Sequence, residues 1–249
     1  GGFGAAFPAQ LAYPGDFDIT GFRRPASYYR ETVFGLCKKP YIAVQNPTHY
    51  GEFLIKTPWV ISDAAASWNW DGMEGKPAIV EVYAQGDEVE LLLNGTSLGK
   101  KAAGKEAGFR TLFETTYEPG ILTAISYENG HEIGRNELAT AGCERTLCVE
   151  KEEYVGLKNA KQELVYVQVE MRDQNSVLVA DDNQKITLSV DGEVEVLGFG
   201  SGNPKPNYNF NEGVTELFGG RAQIIVKKPE GKVTLTVTAE NGIEGKVEL

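Results

Sequence analysis

From about residue 40 to the C-terminus, apolar and polar positions alternate with a period of two. Ala78, Val80, Val82 and Ala84 alternate with Ile79, Glu81, Tyr83 and Gln85, and Val89, Leu91 and Leu93 with Glu88, Glu90 and Leu92. Successive side chains leave a strand on opposite faces, so this period predicts half-buried strands. The same spacing carries Val165, Val167, Val169 and Met171, then Ile186, Leu188 and Val190. It returns in Ala222, Ile224 and Val226 and in Val233, Leu235, Val237 and Ala239. Asn94-Gly95, Asn129-Gly130, Asp191-Gly192 and Asn241-Gly242 each stand between two such runs. These dipeptides tolerate positive φ and predict β-hairpins, and Pro229-Glu230-Gly231 predicts one more turn. Many short strands without helices between them predict sandwiches or barrels, not a parallel α/β sheet.

One helix interrupts this pattern, ahead of the strands. Pro25 suits a first helical turn and Gly35 a C-terminal cap, while Ala26, Tyr29, Val33 and Leu36 recur at three- and four-residue steps. Those four residues predict the apolar face on which the helix docks. Residues 1 to about 24 are rich in Gly, Pro and aromatics and read as loop. A boundary is expected between residues 145 and 160, where the polar stretch Glu150-Lys151-Glu152-Glu153 precedes a new set of strands near Glu163. About 100 residues on each side suit one immunoglobulin-like sandwich each.

The chain has 249 residues, 24 Lys+Arg against 35 Asp+Glu, and a formal net charge of −11. That balance argues against nucleic acid as a partner, because a phosphate backbone calls for a basic face. No apolar run approaches the roughly 20 residues of a membrane span. Two histidines, His49 and His131, and three cysteines, Cys37, Cys143 and Cys148, are too few for most His/Cys metal sites, and no CxxC is present. No metal and no cofactor are therefore expected. Cys143 and Cys148 are close enough in sequence to pair, but two reduced thiols are the stronger expectation. The opening Gly1-Gly2-Phe3-Gly4-Ala5-Ala6-Phe7-Pro8 lacks a starting Met and the features of a signal peptide. It reads as the inside of a longer chain. Location is then not fixed by these residues, and the cytoplasm is the default expectation.

Several groups invite a chemical reading. Trp68 and Trp70 project to one side if their segment is extended, as a platform for a sugar ring or as an anchor of the core. They are the candidate carbohydrate-binding residues. Asp16 and Asp18 form a carboxylate pair, but neighbours in one loop do not flank a cleft as the two carboxylates of a glycosidase do. Gly198-Phe199-Gly200-Ser201-Gly202 looks like a phosphate-cradling loop, but Asn203-Pro204-Lys205-Pro206 blocks the helix that such a loop needs. A bulged strand end fits better. Asp181-Asp182-Asn183 lacks the spacing of a calcium loop and reads as a turn. Asn94-Gly95-Thr96 matches a glycosylation sequon and equally a hairpin. No Ser/His/Asp constellation can be assembled, so no catalytic residue is assigned.

Three stretches together resemble glycoside hydrolase family 2, the β-galactosidase family. Gly15-Asp16-Phe17-Asp18-Ile19-Thr20-Gly21-Phe22-Arg23-Arg24-Pro25 and Ser27-Tyr28-Tyr29-Arg30 resemble the end of its catalytic barrel. Trp68-x-Trp70, Val80-Glu81-Val82-Tyr83, Asp87-Glu88-Val89-Glu90-Leu91-Leu92-Leu93-Asn94-Gly95 and Glu118-Pro119-Gly120-Ile121-Leu122-Thr123-Ala124 resemble the sandwich after the barrel. Leu178-Val179-Ala180-Asp181 and Gly198-Phe199-Gly200-Ser201-Gly202-Asn203-Pro204 resemble the family's C-terminal immunoglobulin-like domain. Tyr83-Ala84-Gln85-Gly86 departs slightly from the family's usual run. The resemblance implies an all-β chain of two immunoglobulin-like sandwiches, 40–146 and 147–249, preceded by residues 1–39 as a loop-plus-helix remnant of a (β/α)8 barrel. It implies that both catalytic glutamates lie upstream, so the region itself is non-catalytic and reaches carbohydrate through its parent enzyme. It also implies an upstream barrel as partner and allows a homo-oligomer. Residues 1–36 are expected to be partly irregular or docked on a neighbouring sandwich. The alternative is a carbohydrate-binding or adhesive immunoglobulin-like module.

Overall fold

The computed structural model describes residues 15–52, 60, 62–152 and 163–249. The described residues up to Thr140 belong to one compact unit and those from Ala141 onward to another. Each unit is a β-sandwich, so the chain is all-β with a loop and one helix in front.

In the first unit the helix α1 (Pro25–Val33) precedes β1 (Tyr41–Val44), β2 (Pro77–Tyr83), β3 (Glu88–Leu93), β4 (Thr96–Ala102), β5 (Arg110–Thr116), β6 (Ile121–Glu128) and β7 (His131–Ala139). The strands form two antiparallel sheets, ordered β1-β2-β5 and β4-β3-β6-β7. Ile42, Val80, Val82 and Phe113 of the first sheet meet Val89, Leu91, Leu122 and Ala124 of the second in one core. Two expected hairpins are present. Asn94 and Gly95 turn β3 into β4 at φ 51° and 80°, and Asn129 and Gly130 turn β6 into β7 at φ 52° and 77°. Positive φ at both central residues matches the twist of the flanking strands.

Helix α1 starts at Pro25, as expected, and closes at Gly35 with φ 68°. Its buried face differs from the expected one. Ser27 and Thr32 are buried, whereas Val33 and Leu36 are 37% and 74% exposed. Aromatic packing decides the orientation. Tyr28 stacks on Tyr41 at 4.0 Å between ring centroids and 11° between planes, and Tyr29 meets Tyr83 edge-on at 5.4 Å. Gln85 Nε2 donates to the Thr32 carbonyl, and Tyr29 OH donates to the Gly108 carbonyl at 3.0 Å. The helix thus docks on the outer face of the β1-β2-β5 sheet, as the docked alternative for this segment anticipated. Residues 1–14 lie outside the described residues.

The second unit holds β8 (Arg145–Lys151), β9 (Leu164–Asp173), β10 (Lys185–Asp191), β11 (Val196–Gly200), β12 (Val214–Glu216), β13 (Arg221–Lys227), β14 (Thr234–Ala239) and β15 (Glu244–Glu248). Its sheets are ordered β12-β10-β14-β15 and β11-β13-β9-β8. Val165, Val167, Val169 and Met171 of one sheet pack against Ile186, Leu235 and Val237 of the other. Three expectations need correction here. Glu150 and Lys151, read as part of a polar boundary, pair with Gln168 and Val167 inside a sheet. Asp191-Gly192 and Pro229-Glu230-Gly231 are not hairpin turns. They join β10 to β11 and β13 to β14, strands of opposite sheets. A turn dipeptide reverses the chain but does not choose the sheet in which the next strand pairs. These two loops meet each other, since a Cβ on Gly192 (φ 109°) would lie 2.8 Å from the Lys232 carbonyl oxygen. Asn241-Gly242 is a true hairpin between β14 and β15.

Candidate functional site

Trp68 and Trp70 sit in the irregular segment before β2. Trp68 is fully buried, and its ring meets Tyr117 edge-on at 4.8 Å. Its Nε1 donates to the Glu118 carbonyl at 2.9 Å. Tyr117 OH donates to the Trp68 carbonyl at 3.3 Å, and the Thr140 hydroxyl donates to the same oxygen at 2.6 Å. Trp70 is half-buried against the same core, and its Nε1 donates to the Ser67 carbonyl at 3.3 Å. The sugar-platform reading fails for Trp68, because an indole without an accessible face cannot stack on a sugar. The two residues pin the 67–70 segment to the sandwich.

The most concentrated chemistry of the first unit lies on the other face of β2. Alternation sends Val80 and Val82 into the core and Glu81 and Tyr83 towards α1. That polar row is covered rather than solvated. Glu81 has no exposed surface, and its carboxylate accepts five hydrogen bonds. Arg110 Nε and Nη2 donate at 2.8 and 2.5 Å, Ser62 Oγ at 2.6 Å, Gln45 Nε2 at 2.7 Å and Tyr83 OH at 2.9 Å. Glu81 and Arg110 are brought together by the antiparallel register of β2 and β5, where Tyr83 pairs with Arg110. Burial pushes the Glu81 carboxyl up. The fork from Arg110, its charge, and the Ser62 and Gln45 bonds outweigh burial and hold it below the usual carboxylate range. The Tyr83 phenol is pushed up by burial and by the Glu81 charge, so it stays a proton donor. Tyr83 stacks on Tyr41 at 5.7 Å, and Tyr41 on Tyr28, which lies under Arg23 at 3.9 Å. This is a structural hub. A carboxylate saturated with donors and sealed from solvent has no lone pair left for a substrate.

The remaining candidates are turns and strand ends. Asp18 Oδ1 accepts from Thr20 N, Thr20 Oγ1 and Phe22 N at 2.8–3.1 Å, and Asp16 pairs with Arg30 of α1. The acidic loop is therefore spent on holding itself and the helix. Asn94 Oδ1 accepts from Ile121 N at 2.9 Å, and a Cβ on Gly120 would fall 1.8 Å from it. Hairpin packing accounts for both residues. The glycine-rich run is the bulged end of β11, with a register shift between Val196 and Gly198. Gly200 is required where the Phe210 ring would come within 2.5 Å of a Cβ. Asp182 accepts from Gln184 N at 3.0 Å within a turn. Cys37, Cys143 and Cys148 are free. Among the described residues, no group of three His, Cys, Asp or Glu side chains is arranged to hold a metal. No described helix is long and apolar enough to cross a membrane. Sequence reasoning missed the Glu81 hub, since its partners at 45, 62, 83 and 110 share no local motif. It also passed over His49, whose Nδ1 lies 3.0 Å from Asp63 Oδ2.

Among the described residues, the chain is two antiparallel β-sandwiches whose Glu81 cluster and acidic loop are bonded within the fold. Comparisons with known proteins place it. Residues 151–248 match the model for glycoside hydrolase family 2 C-terminal domain 5, and residues 75–134 match a domain of unknown function, DUF4982. The chain is similar to a β-galactosidase, BoGH2A, of Bacteroides ovatus, at 25% identity over 94% of the chain and 25% of that protein. It is similar to a putative β-glucuronidase of Formosa agariphila, at 27% identity over 93% of the chain and 21% of that protein. Among solved structures it superposes on a family 2 member from Bacteroides cellulosilyticus with a TM-score of 0.82 and 27% identity, over 94% of the chain and 31% of that structure. Residues 151–248 thus carry a glycoside hydrolase family 2 C-terminal domain, and the chain as a whole is similar to the C-terminal part of family 2 enzymes. It spans about a quarter of the length of the curated relatives that it matches.

Proposed function

We propose that this chain is the non-catalytic C-terminal part of a β-galactosidase-like enzyme that hydrolyses terminal β-glycosidic bonds with retention. In this reading residues 1–39 close the catalytic barrel, the two sandwiches follow it, and both catalytic glutamates lie upstream. The observation that carries the reading is the two-faced helix α1. Its tyrosines are docked on the first sandwich, while Val33 at its end, Phe34 and Leu36 just beyond it, and Phe17 and Ile19 of the acidic loop are exposed to solvent. Large apolar side chains exposed in this number on one short segment suit an interface, and in this reading the occupant is the enzyme's own barrel. The sandwiches then buttress the barrel or its assembly.

The glycon remains a choice between galactoside and glucuronide chemistry, as the relatives carry both names. The test is an assay of this chain with chromogenic β-galactosides and β-glucuronides. No turnover is expected, and hydrolysis of either substrate would overturn the non-catalytic reading. In the intact parent, Leu36→Asp should lower the thermal stability of the barrel. An unchanged barrel transition would remove the proposed docking face.

A further inference from the structure

Beside the Glu81 hub the first unit carries a cavity of about 130 Å³. Gln45, His49, Tyr50, Glu52, Asp63 and Ile79 are among the residues that line it. Hydrogen bonds hold its described lining. Gln45 N donates to the Ile79 carbonyl at 2.9 Å, and the Gln45 amide is held by Glu81 at 2.7 Å. The turn Pro47–His49 is capped by Asn46, whose Oδ1 accepts from Thr48 N and Oγ1 at 3.0 and 2.8 Å. Tyr50 N and Glu52 N close on the carbonyls of Pro47 and His49 at 3.2 and 2.9 Å. Two residues after Asp63, Ala65 makes two backbone bonds with Val44, at 2.8 and 2.9 Å, next to Gln45.

The groups that face this space are those of a hydroxyl-rich ligand. His49 Nδ1–H donates to Asp63 Oδ2 at 3.0 Å, which leaves His49 Nε2 and Asp63 Oδ1 for a guest. Glu52 adds acceptor oxygens, and Tyr50, 46% exposed, adds an aromatic ring at the rim. Vicinal hydroxyls donate to carboxylates and to the unprotonated Nε2 of the imidazole, while the apolar face of a sugar ring lies on an aromatic plane. Two carboxylates against one imidazole repel an anionic ligand. The volume lies far below the roughly 300–1,000 Å³ of a drug-sized site, so the pocket takes one ring and not a chain. We propose that it is a subsite for a single neutral sugar residue, free or at the end of a glycan. The proposal does not rest on the hydrolase reading. Failure to bind leaves that reading standing, and turnover by the chain would leave the subsite standing.

The test is saturation-transfer NMR on the whole chain with methyl β-galactopyranoside, methyl β-glucopyranoside, glucuronate and a β-linked galacto-oligosaccharide. Saturable transfer to a neutral methyl glycoside is expected, with a Kd of roughly 1–10 mM, the level a ligand of about a dozen heavy atoms reaches at ordinary efficiency. Comparable binding of the oligosaccharide through its terminal ring assigns the source to a glycan end, and binding of the monosaccharide alone assigns it to free sugar. Tyr50→Ala should abolish transfer and Asp63→Asn should weaken it about tenfold, both with an unchanged thermal midpoint. Phe34→Ala, on an exposed residue outside the pocket, should change nothing. Absence of transfer from every neutral sugar, equal binding of glucuronate, or equal loss in Phe34→Ala would overturn the proposal.

Discussion

Arg110→Met is the sharpest test of the hub. Methionine keeps most of the apolar stem and removes both guanidinium bonds from Glu81, whose side chain is 0% exposed while that of Arg110 is 18% exposed. Removing one partner of a buried pair costs about 3–5 kcal/mol, because the other charge stays buried without compensation. Ser62, Gln45 and Tyr83 still donate to Glu81, which places the expected loss near ~3 kcal/mol. A domain of this size holds about 5–15 kcal/mol in all. With a urea slope of about 1.5–2 kcal/mol per M, the midpoint should fall by roughly 1.5–2 M. Tryptophan fluorescence reads this unit, since Trp68 and Trp70 pack in its core and no tryptophan follows residue 70 in the sequence. The loss should also depend on pH. The folded-state pKa of Glu81 is depressed, so its contribution is fully present above the unfolded value near 4.3 and fades as pH falls through the folded value. The gap between the parent chain and Arg110→Met must therefore narrow on the acid side of that value. Adding Glu81→Gln to Arg110→Met should restore part of the stability, because no charge is then buried. A midpoint shift under about 0.5 M at pH 7, or a gap that widens in acid, would refute the argument.

Other expectations follow from close contacts. Gly86→Ala places a Cβ 2.1 Å from the Tyr127 carbonyl oxygen at φ 88°, and should cost about 3 kcal/mol or more in urea titration; a neutral result would mean that this loop moves freely aside. Gly245→Ala would drive a Cβ to 2.1 Å from the Leu147 carbonyl oxygen, where β15 approaches β8. Calorimetry of the second unit's transition should show a loss of about 1–3 kcal/mol, and an unchanged transition would contradict that approach. Trp68→Ala should cost about 3–5 kcal/mol in denaturant titration. A cost below about 1 kcal/mol would contradict its place in the core.

The strands were legible because one face of each is a continuous apolar row. Val165, Val167, Val169 and Met171 needed only the period of two, and all four are buried as that period requires. What covers the second face of a strand was not legible. Glu81 and Tyr83 occupy the positions that alternation assigns to solvent, and they become buried because a helix more than 40 residues earlier in the chain lies over them. The same limit applies to the turns. Asn94-Gly95 and Asp191-Gly192 look alike in sequence, yet one closes a hairpin and the other carries the chain to the opposite sheet. The difference lies in long-range pairing, which a dipeptide does not encode. His49 and Asp63 stand 14 positions apart, and the Val44–Ala65 bridge that draws their segments together leaves no periodic trace.

Helix α1 shows how one such limit becomes informative. Val33 at its end and Leu36 beyond the Gly35 cap continue the helical period of the sequence and would ordinarily mark the docking face. The structure turns them outward and packs Tyr28 and Tyr29 inward instead. A tyrosine ring offers a large apolar plane with a hydroxyl that still requires a partner, and the β1-β2-β5 sheet supplies both, through the Tyr41 and Tyr83 rings and the Gly108 carbonyl. The aliphatic row lacks such a match on this sheet. On the proposed reading, the apolar side chains left in solvent at the C-terminal end of the helix are the surface that the barrel would cover.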